Sequence, residues 1–232
     1  RMAIQELSQK KWIIPPLNVN LQKEISDALR ISPLLSQLLI NRGLTDVSSA
    51  KTFLDSTLSL LSDPMLLPDI VKSSERIIDA LSKGEKITVY GDYDVDGVSS
   101  TALMVQCLET LSELYWNQKS TIDYYIPNRL EEGYGLNVGA IETLSEGGTK
   151  VIITVDCGVN SFEEAKSARE KGIDLIITDH HEPGDNALDG SEETESPNSV
   201  TCGCDDAFGL INPKLSTSNY PFRELAGVGV AF

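Results

Sequence analysis

One segment, residues 86–101, constrains what this chain can fold into more than any other, because an apolar run ends in three closely spaced carboxylates. Its first part, residues 87–90, is short, apolar and rich in β-branched residues, which is typical of a buried strand. The aspartates that follow are Asp92, Asp94 and Asp96. Because alternate residues of an extended chain share one face, we expect these carboxylates to converge on one point.

The residues after the aspartates predict a turn and then a helix. Gly97 lets the backbone turn, and three hydroxyl residues that can cap a helix follow it, namely Ser99, Ser100 and Thr101. Three carboxylates packed this closely repel one another unless a cation holds them. Oxygen-rich clusters of this kind suit hard divalent ions such as Mg²⁺ or Mn²⁺. The segment therefore predicts a metal site at the end of a strand.

Two other interpretations of the aspartates compete with this one. Asp-x-Asp-x-Asp-Gly also opens an EF-hand loop, but the twelfth position, where that loop needs a bidentate Glu, is Leu103, and a strand stands in front instead of a helix. The EF-hand is therefore excluded. In the other alternative, Asp96 caps the helix while Asp92 and Asp94 are solvated turn residues, and this segment alone leaves it open.

The composition is that of an ordinary globular protein. The 232 residues, 41% of them hydrophobic and 23% charged, suffice for one large domain or for one domain with a smaller partner. No apolar run approaches the ~20 residues of a transmembrane helix, and the N-terminus has no apolar signal core. The net charge of −16 offers no electrostatic footprint for nucleic acid by itself. Because the chain starts at Arg1 and stops within a predicted element, we expect it to be a fragment.

The four cysteines predict neither a disulfide framework nor a zinc site. Cys107 and Cys157 lie in apolar contexts and are expected to be buried thiols. Cys202 and Cys204 form a lone Cys-x-Cys pair, which is too little for zinc without further ligands. These features favour a reducing compartment.

Strands and helices alternate after a helical beginning. Helical spacing predicts helices over 21–30, 33–41, 47–54 and 70–82. Strands are predicted at 87–90, 122–126, 151–155, 175–178 and 208–211, with helices at 98–114, 137–145 and 162–171 between them. Short loops between such elements predict an α/β fold with a mostly parallel, Rossmann-like sheet covered by helices. Ligands of such sheets lie beyond the carboxyl ends of the strands.

The same patterns predict the domain organisation. Residues 1–68 are predicted to form a helical N-terminal extension, and residues 69–232 the α/β domain. Residues 183–207 interrupt the alternation, because they are acidic, lack Lys and Arg, and contain little to bury. We interpret them as a mobile, solvated surface insertion, with an acidic partner-docking loop as the alternative.

Polar residues follow two further predicted strands. Asp156 comes directly after residues 151–155, and Asp179, His180 and His181 follow residues 175–178. If the strands are parallel, all these groups project from one edge of the sheet. A mixed carboxylate–imidazole cluster suits two Mn²⁺-like ions, which together can clamp a phosphate and activate water for in-line attack. The competing explanation is chance, since aspartates after strands often cap helices and a histidine pair can be structural.

These segments resemble a known family. Residues 91–97 (GDYDVDG), 155–158 (VDCG) and 179–181 (DHH) are similar to the first three motifs of the DHH phosphoesterase superfamily. The chain also resembles the RecJ exonuclease branch of this superfamily, at residues 125–129, 132–137, 211–213 and 225–232 and in the lead-in at 11–12, 31–34 and 41–44. The resemblance covers nearly the whole chain except the acidic insertion.

The resemblance implies a role for each site residue. The implied metal ligands are Asp94, Asp96, Asp156 and His180, which hold Mn²⁺ (or Mg²⁺) as two ions with one bridging carboxylate. His181 is implied to lie beside the scissile phosphate as electrostatic stabiliser or proton donor. Asp92 and Asp179 are implied to orient the histidines or the attacking water.

The resemblance also implies a substrate-binding loop. Arg129 would meet a substrate phosphate, although pairing with Glu131 or Glu132 is an equally good explanation of it. Gly133 and Gly135 would allow close approach of the backbone to a ligand, although turn formation alone also explains them.

The function that the resemblance implies is a metal-dependent 5′-to-3′ exonuclease on single-stranded DNA, acting in DNA repair and recombination. Its expected partners are single-stranded DNA, single-strand-binding protein and helicase, and its expected location is the bacterial cytoplasm, with an organelle as the alternative. The rival functions are another DHH phosphoesterase, acting on short RNA, cyclic dinucleotides or pyrophosphate, and a catalytically dead scaffold. The family's fourth motif, second domain and oligonucleotide-binding fold are absent from these 232 residues, so we expect little processive activity from them alone.

Overall fold

The computed structural model describes residues 13, 15–116, 121–184, 204 and 206–232. Most of the predicted lead-in and most of the predicted acidic insertion, including Cys202, lie outside the described residues. The chain divides into two compact units, residues 1–61 and 62–232. The assignment of residues 1–68 and 69–232 as separate domains stays a prediction.

The first unit is helical, as its sequence pattern predicts. It contains α1 (Val19–Leu29), α2 (Pro33–Asn41), α3 (Val47–Leu54) and a 3₁₀ turn (Leu58–Leu60). Side chains of the residues before α2 and α3 accept backbone hydrogen bonds and thereby fix where each helix begins. The fully buried residues of the small core are Ile25, Leu39 and Ala50.

The second unit is an α/β domain. It begins with a 3₁₀ turn (Pro64–Leu66) and α4 (Ile70–Lys83). The strands are β1 (Ile87–Gly91), β2 (Ile122–Tyr125), β3 (Val151–Val155), β4 (Asp174–Thr178) and β5 (Gly209–Ile211). The other helices are α5 (Val95–Trp116), α6 (Val138–Glu146), α7 (Phe162–Glu170) and α8 (Gly227–Ala231). Each strand matches its predicted position to within one residue at either end.

The five strands form one parallel sheet in the order β2-β1-β3-β4-β5, which confirms the predicted fold class. Every residue of the central strands β1 and β3 is buried, because helices cover both faces of the sheet. Alternate residues of β3 enter opposite cores: Ile152 packs with residues of α6 and α7, and Ile153 with residues of α4 and α5. This topology brings the carboxyl ends of the strands to one edge.

Two local predictions were wrong. The helix after β1 begins at Val95, and the three hydroxyl residues expected to cap it lie inside it, where they donate to the carbonyls four residues back. The cap is Asp94, whose Oδ1 accepts the N–H of Asp96 (2.8 Å) and Gly97 (3.0 Å). A carboxylate nearer the strand satisfies the free N–H groups first, so the helix starts earlier than the serines suggest.

The second correction concerns Cys107, which is exposed, whereas Cys157 is buried as predicted. Apolar neighbours of Cys107 on α5, Met104 and Leu108, occupy the helix face that packs on the sheet. The helical period therefore turns Cys107 toward solvent.

Among the described residues, no helix has both the length and the apolar character that crossing a membrane requires.

Candidate metal centre

Three buried aspartates meet at the carboxyl edge of the sheet. Asp92 follows β1, Asp156 follows β3 and Asp179 follows β4, and their exposed fractions are 2%, 2% and 1%. Ionised carboxylates are rarely buried this completely unless hydrogen bonds or cations compensate them. The alternative in which Asp92 is a solvated turn residue is thereby excluded.

The structure forms a first group of possible ligands from Asp92, Asp94 and Asp156, with one oxygen of each within 4.8 Å of the others. The expectation that the first three aspartates share a strand face was wrong. The strand ends at Gly91, so Asp94 caps α5 and Asp96 lies in its first turn. The loop between strand and helix, and not the pleat of a strand, brings carboxylates together here.

Asp96 has a different position at the edge of this group. Its carboxylate accepts the N–H of Gly227 (2.7 Å) and of Val228 (2.8 Å), at the beginning of α8. Its Oδ2 also lies 3.7 Å from Nε2 of His180. Asp96 therefore connects the helix N-terminus of α8 with His180, and each of its oxygens keeps a second lone pair for a cation.

A second group of possible ligands contains Asp156, His180 and His181, with one ligand atom of each again within 4.8 Å of the others. Nε2 of His180 lies 3.0 Å from Oδ1 of Asp156. Asp156 is thus the member that both groups share, which is the position that a carboxylate bridging two ions would need.

The backbone of Asp156 is held in an unfavourable conformation. Its φ of 64° is left-handed, which costs energy for a residue other than glycine. Its N–H donates to the carbonyl of Thr178 (3.1 Å), so pairing with β4 helps to keep the residue there. Gly227 of α8 packs directly against its carboxyl group, because a Cβ on Gly227 would lie 2.7 Å from Cγ of Asp156. Such strain at a buried carboxylate is typical of functional sites.

The electrostatics of the site favour a bound cation. Burial, followed by the charges of Asp96 and Asp94, raises the pKa of Asp156 to about 7. Burial also raises the pKa of Asp92. Oδ1 of Asp92 and Oδ1 of Asp156 are buried, and neither accepts a hydrogen bond among the described residues, although Nε2 of His180 lies 3.0 Å from Oδ1 of Asp156. Because buried polar atoms are normally partnered, two unsatisfied carboxylate oxygens beside imidazoles fit a hard divalent ion.

Asp179 holds the second histidine in place. Its Oδ1 accepts hydrogen bonds from Nδ1 of His181 (2.7 Å) and from the N–H of His180 (2.7 Å), and its Oδ2 accepts from the N–H of Val159 (2.9 Å). Burial alone would raise the pKa of Asp179, but the hydrogen bonds from the ring and the N–H of His181 and from the N–H of Val159 outweigh it and lower the pKa. The same contact raises the pKa of His181. With Nδ1 occupied, Nε2 of His181 is the nitrogen left for a ligand.

The sequence predicts no role for two residues that lie beside the histidines, Tyr134 and Asn212. The hydroxyl of Tyr134 lies 3.3 Å from Nε2 of His181, and their rings meet edge to face. The side-chain amide of Asn212 donates to the carbonyl of His181 (3.0 Å). Both residues belong to segments that carry the family resemblance, and this was the only signal that could have identified them.

The predicted substrate-binding residues lie on the loop between β2 and α6. Arg129 is exposed with its guanidinium 5.2 Å from the ring centre of Tyr93, and within the described ranges it forms no ion pair with the neighbouring glutamates. Gly133 and Gly135 both have a φ of 82°, which favours glycine. A cavity of about 480 Å³ beside His181 has Gly135 in its wall, whereas Gly133 does not line it.

Together these features define a metal-binding α/β domain, and comparison with protein families identifies the family to which it belongs. The model of the DHH family, N-terminal domain, matches residues 86–231. The chain belongs to the DHH family. The match begins just before β1 and ends at the last residue of α8, and it therefore contains every residue of both ligand groups.

Curated relatives share the similarity over most of this chain. It is 40% identical over 225 residues to the single-stranded-DNA-specific exonuclease RecJ of Bacillus subtilis (strain 168), which covers 97% of this chain and 26% of that protein. It is 38% identical over 202 residues to the RecJ of Escherichia coli (strain K12), covering 87% of this chain and 30% of that protein. The chain thus spans about a quarter to a third of the length of these relatives.

Solved structures agree with the sequence comparison. A crystal structure of RecJ in complex with Mn²⁺ from Thermus thermophilus superposes with a TM-score of 0.59 and 26% identity, over 94% of this chain and 26% of that one. A crystal structure of exonuclease RecJ bound to manganese gives a TM-score of 0.55 and 29% identity, over 73% of this chain and 37% of that one.

Proposed function

We propose that this chain is the catalytic part of a metal-dependent exonuclease that degrades single-stranded DNA from the 5′ end during DNA repair and recombination. The observation that carries the proposal is the pair of ligand groups joined at Asp156, where two buried carboxylate oxygens accept no hydrogen bond in the described part of the chain. The similarity to RecJ exonucleases over most of the chain supports the choice of reaction and substrate.

The residues proposed to hold two Mn²⁺ (or Mg²⁺) ions are Asp94, Asp96, Asp156 and His180. Carboxylate oxygens and imidazole nitrogens suit these ions, and Asp156 has the shared position that a bridging ligand requires. When bound, the ions supply activation of water and neutralisation of phosphate charge. Asp92 is proposed to orient the attacking water, and its unpartnered Oδ1 beside Asp94 and Asp156 also gives it the means to bind an ion itself.

His181 is proposed to stabilise the scissile phosphate or to donate a proton to the leaving oxygen. Its Nδ1–H donates to Asp179, which fixes the ring and favours the protonated imidazole. A protonated Nε2 could then give its proton to a departing oxygen or stabilise the charge that develops on the phosphate. The predicted orienting role of Asp179 is supported by this short hydrogen bond.

The loop between β2 and α6 is proposed to contact the DNA. Arg129 is exposed and has no carboxylate partner among the described residues, so its guanidinium can reach a phosphate. Gly133 and Gly135 would let the backbone approach the strand closely. The remaining proposals follow from the similarity to RecJ: single-strand-binding protein and helicase as partners, a bacterial cytoplasmic location, and residues 1–68 as an extension of the catalytic domain.

The test is a nuclease assay of the complete protein with Mn²⁺, using single strands labelled at the 5′ or the 3′ end and a matched duplex. We expect mononucleotides from the 5′ end of single strands, loss of activity with EDTA, and none from the duplex. Asp156→Asn should abolish hydrolysis, whereas Asp27→Asn, an exposed aspartate of the first unit, should not.

Other outcomes would contradict the proposal in distinct ways. Hydrolysis confined to short RNA, cyclic dinucleotides or pyrophosphate would indicate a different DHH phosphoesterase. A folded protein that binds Mn²⁺ and hydrolyses none of these substrates would indicate an inactive scaffold.

A further inference from the structure

The side chain of Glu132 bonds the first part of the loop between β2 and α6 to the sheet. Its Oε1 accepts the hydroxyl of Tyr125 (2.5 Å), and its Oε2 accepts the N–H of Asn128 (2.7 Å). Tyr125 is the last residue of β2, and Asn128 lies at the start of the loop. Glu132 therefore ties the loop both to the strand before it and to its own first turn.

A second set of contacts continues from Glu132 to the buried part of the sheet. The amide nitrogen of Asn137 lies 3.4 Å from Oε1 of Glu132 and 3.3 Å from the hydroxyl of Tyr90. That hydroxyl donates to the carbonyl of Gly135 (2.9 Å). Tyr90 is fully buried in β1, and its ring stacks on that of Tyr125 at 5.2 Å. The loop thus has both ends bonded to rigid strands.

The residues held by this network face the catalytic edge. Tyr134, two residues after Glu132, places its hydroxyl beside both ring nitrogens of His181. Arg129, three residues before Glu132, lies over the ring of Tyr93, which follows Asp92. Glu132 itself touches neither histidine and belongs to neither group of possible metal ligands. Any influence of Glu132 on the chemistry must therefore act through the position of the loop.

We propose that Glu132 is a positioning residue, which fixes the β2–α6 loop so that Tyr134 and Arg129 face the metal centre and the substrate strand. The inference rests on the proposed exonuclease function and deepens it. The same two hydrogen bonds, from Asn128 and Tyr125, lower the pKa of Glu132, so the anion is the form that is held. An anion that accepts from both partners orders the loop more strongly than a neutral group would.

The test compares three variants of the complete protein with the wild type. Glu132→Ala removes the acceptor and leaves the Tyr125 hydroxyl and the Asn128 N–H without a partner. Glu132→Gln is the conservative variant, since an amide can still accept from Asn128 and donate to Tyr125. Glu131→Ala is the matched control, because Glu131 is exposed and its side chain makes no hydrogen bond or ion pair among the described residues.

Three measurements are made on each variant: kcat and KM on single strands, the affinity for Mn²⁺ alone by calorimetry, and amide hydrogen exchange of residues 126–137. For Glu132→Ala we expect faster exchange in this loop, unchanged Mn²⁺ affinity and a kcat lower by about 10- to 100-fold, as expected for a misplaced catalytic loop. Glu132→Gln should recover most of kcat and of the protection, and Glu131→Ala should match the wild type in loop exchange and in Mn²⁺ affinity.

Several results would overturn the inference. Unchanged loop exchange in Glu132→Ala would show that Glu132 does not fix the loop, whether or not the protein is a nuclease. Faster exchange with unchanged kcat and KM would show that the loop position does not matter for hydrolysis. Loss of Mn²⁺ affinity would make Glu132 part of the metal centre instead. Absence of hydrolysis by the wild type would reject the proposed function itself and this inference with it.

Discussion

Replacing Asp156 by Asn should abolish metal-dependent hydrolysis and yet stabilise the metal-free protein at neutral and alkaline pH. Asp156 is 2% exposed, its Oδ1 accepts no hydrogen bond in the described part of the chain, and it lies close to the carboxylates of Asp92 and Asp94. Without a cation, its negative charge therefore opposes folding. Asn has nearly the same shape but no charge, so it removes this cost together with a ligand for the ion.

The magnitude follows from the pKa of Asp156. The pKa of Asp156 is about 7 in the folded protein, against an ordinary 3.8, so the folded state binds the proton of this carboxyl more tightly than the unfolded chain does. This pKa difference corresponds to about 4 kcal/mol in the free energy of unfolding. The unfolded chain loses this proton at lower pH than the folded protein does. The contribution of this group to stability is therefore complete below about pH 3.8 and is lost as the pH rises to about 7.

The assay is urea unfolding in EDTA between pH 5 and pH 8. The stabilising contribution of the Asp156 carboxyl falls by about 1.4 kcal/mol per pH unit up to its folded pKa. The free energy of unfolding of Asp156→Asn relative to wild type should therefore rise by about 3 kcal/mol over this range. Excess Mn²⁺ should stabilise the wild type much more than the variant. A difference between the two proteins that does not change with pH would refute the argument that the buried charge opposes folding.

The remaining predictions concern the histidines and a glycine of α8. His180→Ala should weaken Mn²⁺ binding in calorimetry, whereas His181→Ala should leave it nearly unchanged and lower the chemical rate by about 10²–10⁴-fold; equal loss of affinity in both would reject this division of roles. Gly227→Ala should destabilise the protein by about 1–3 kcal/mol in urea and weaken Mn²⁺ binding, because its Cβ would overlap the carboxyl of Asp156. Gly229→Ala is the control, since its Cβ would meet only the side chain of Leu225, with Cδ2 nearest at 3.3 Å, and equal effects of both glycine variants would contradict the overlap.

The sequence predicts which side chains come together where their positions depend on strand ends, and less well where they depend on a loop. Asp156 and His180 closely follow strands that an apolar run makes obvious, and parallel pairing brings them together. The geometry of Asp94 and Asp96 could not be predicted in this way, because a helix that starts earlier than expected turns one into a cap and the other into a partner of α8. Competition among nearby groups for free backbone N–H groups decides such details, and it involves residues distant in sequence.

The sequence by itself determined the order of strands and helices, the parallel sheet and the edge at which the ligands gather, because these depend on hydrophobic periodicity and on the short connections between neighbouring elements. Only the tertiary structure decided which buried oxygens of the described residues accept no hydrogen bond, that Asp156 adopts a left-handed backbone, and that Gly227 and Tyr134 pack against the site. These features arise from contacts between segments far apart in the chain, such as Asp96 with Gly227, which are 131 residues apart, and local patterns carry no information on the packing that creates them.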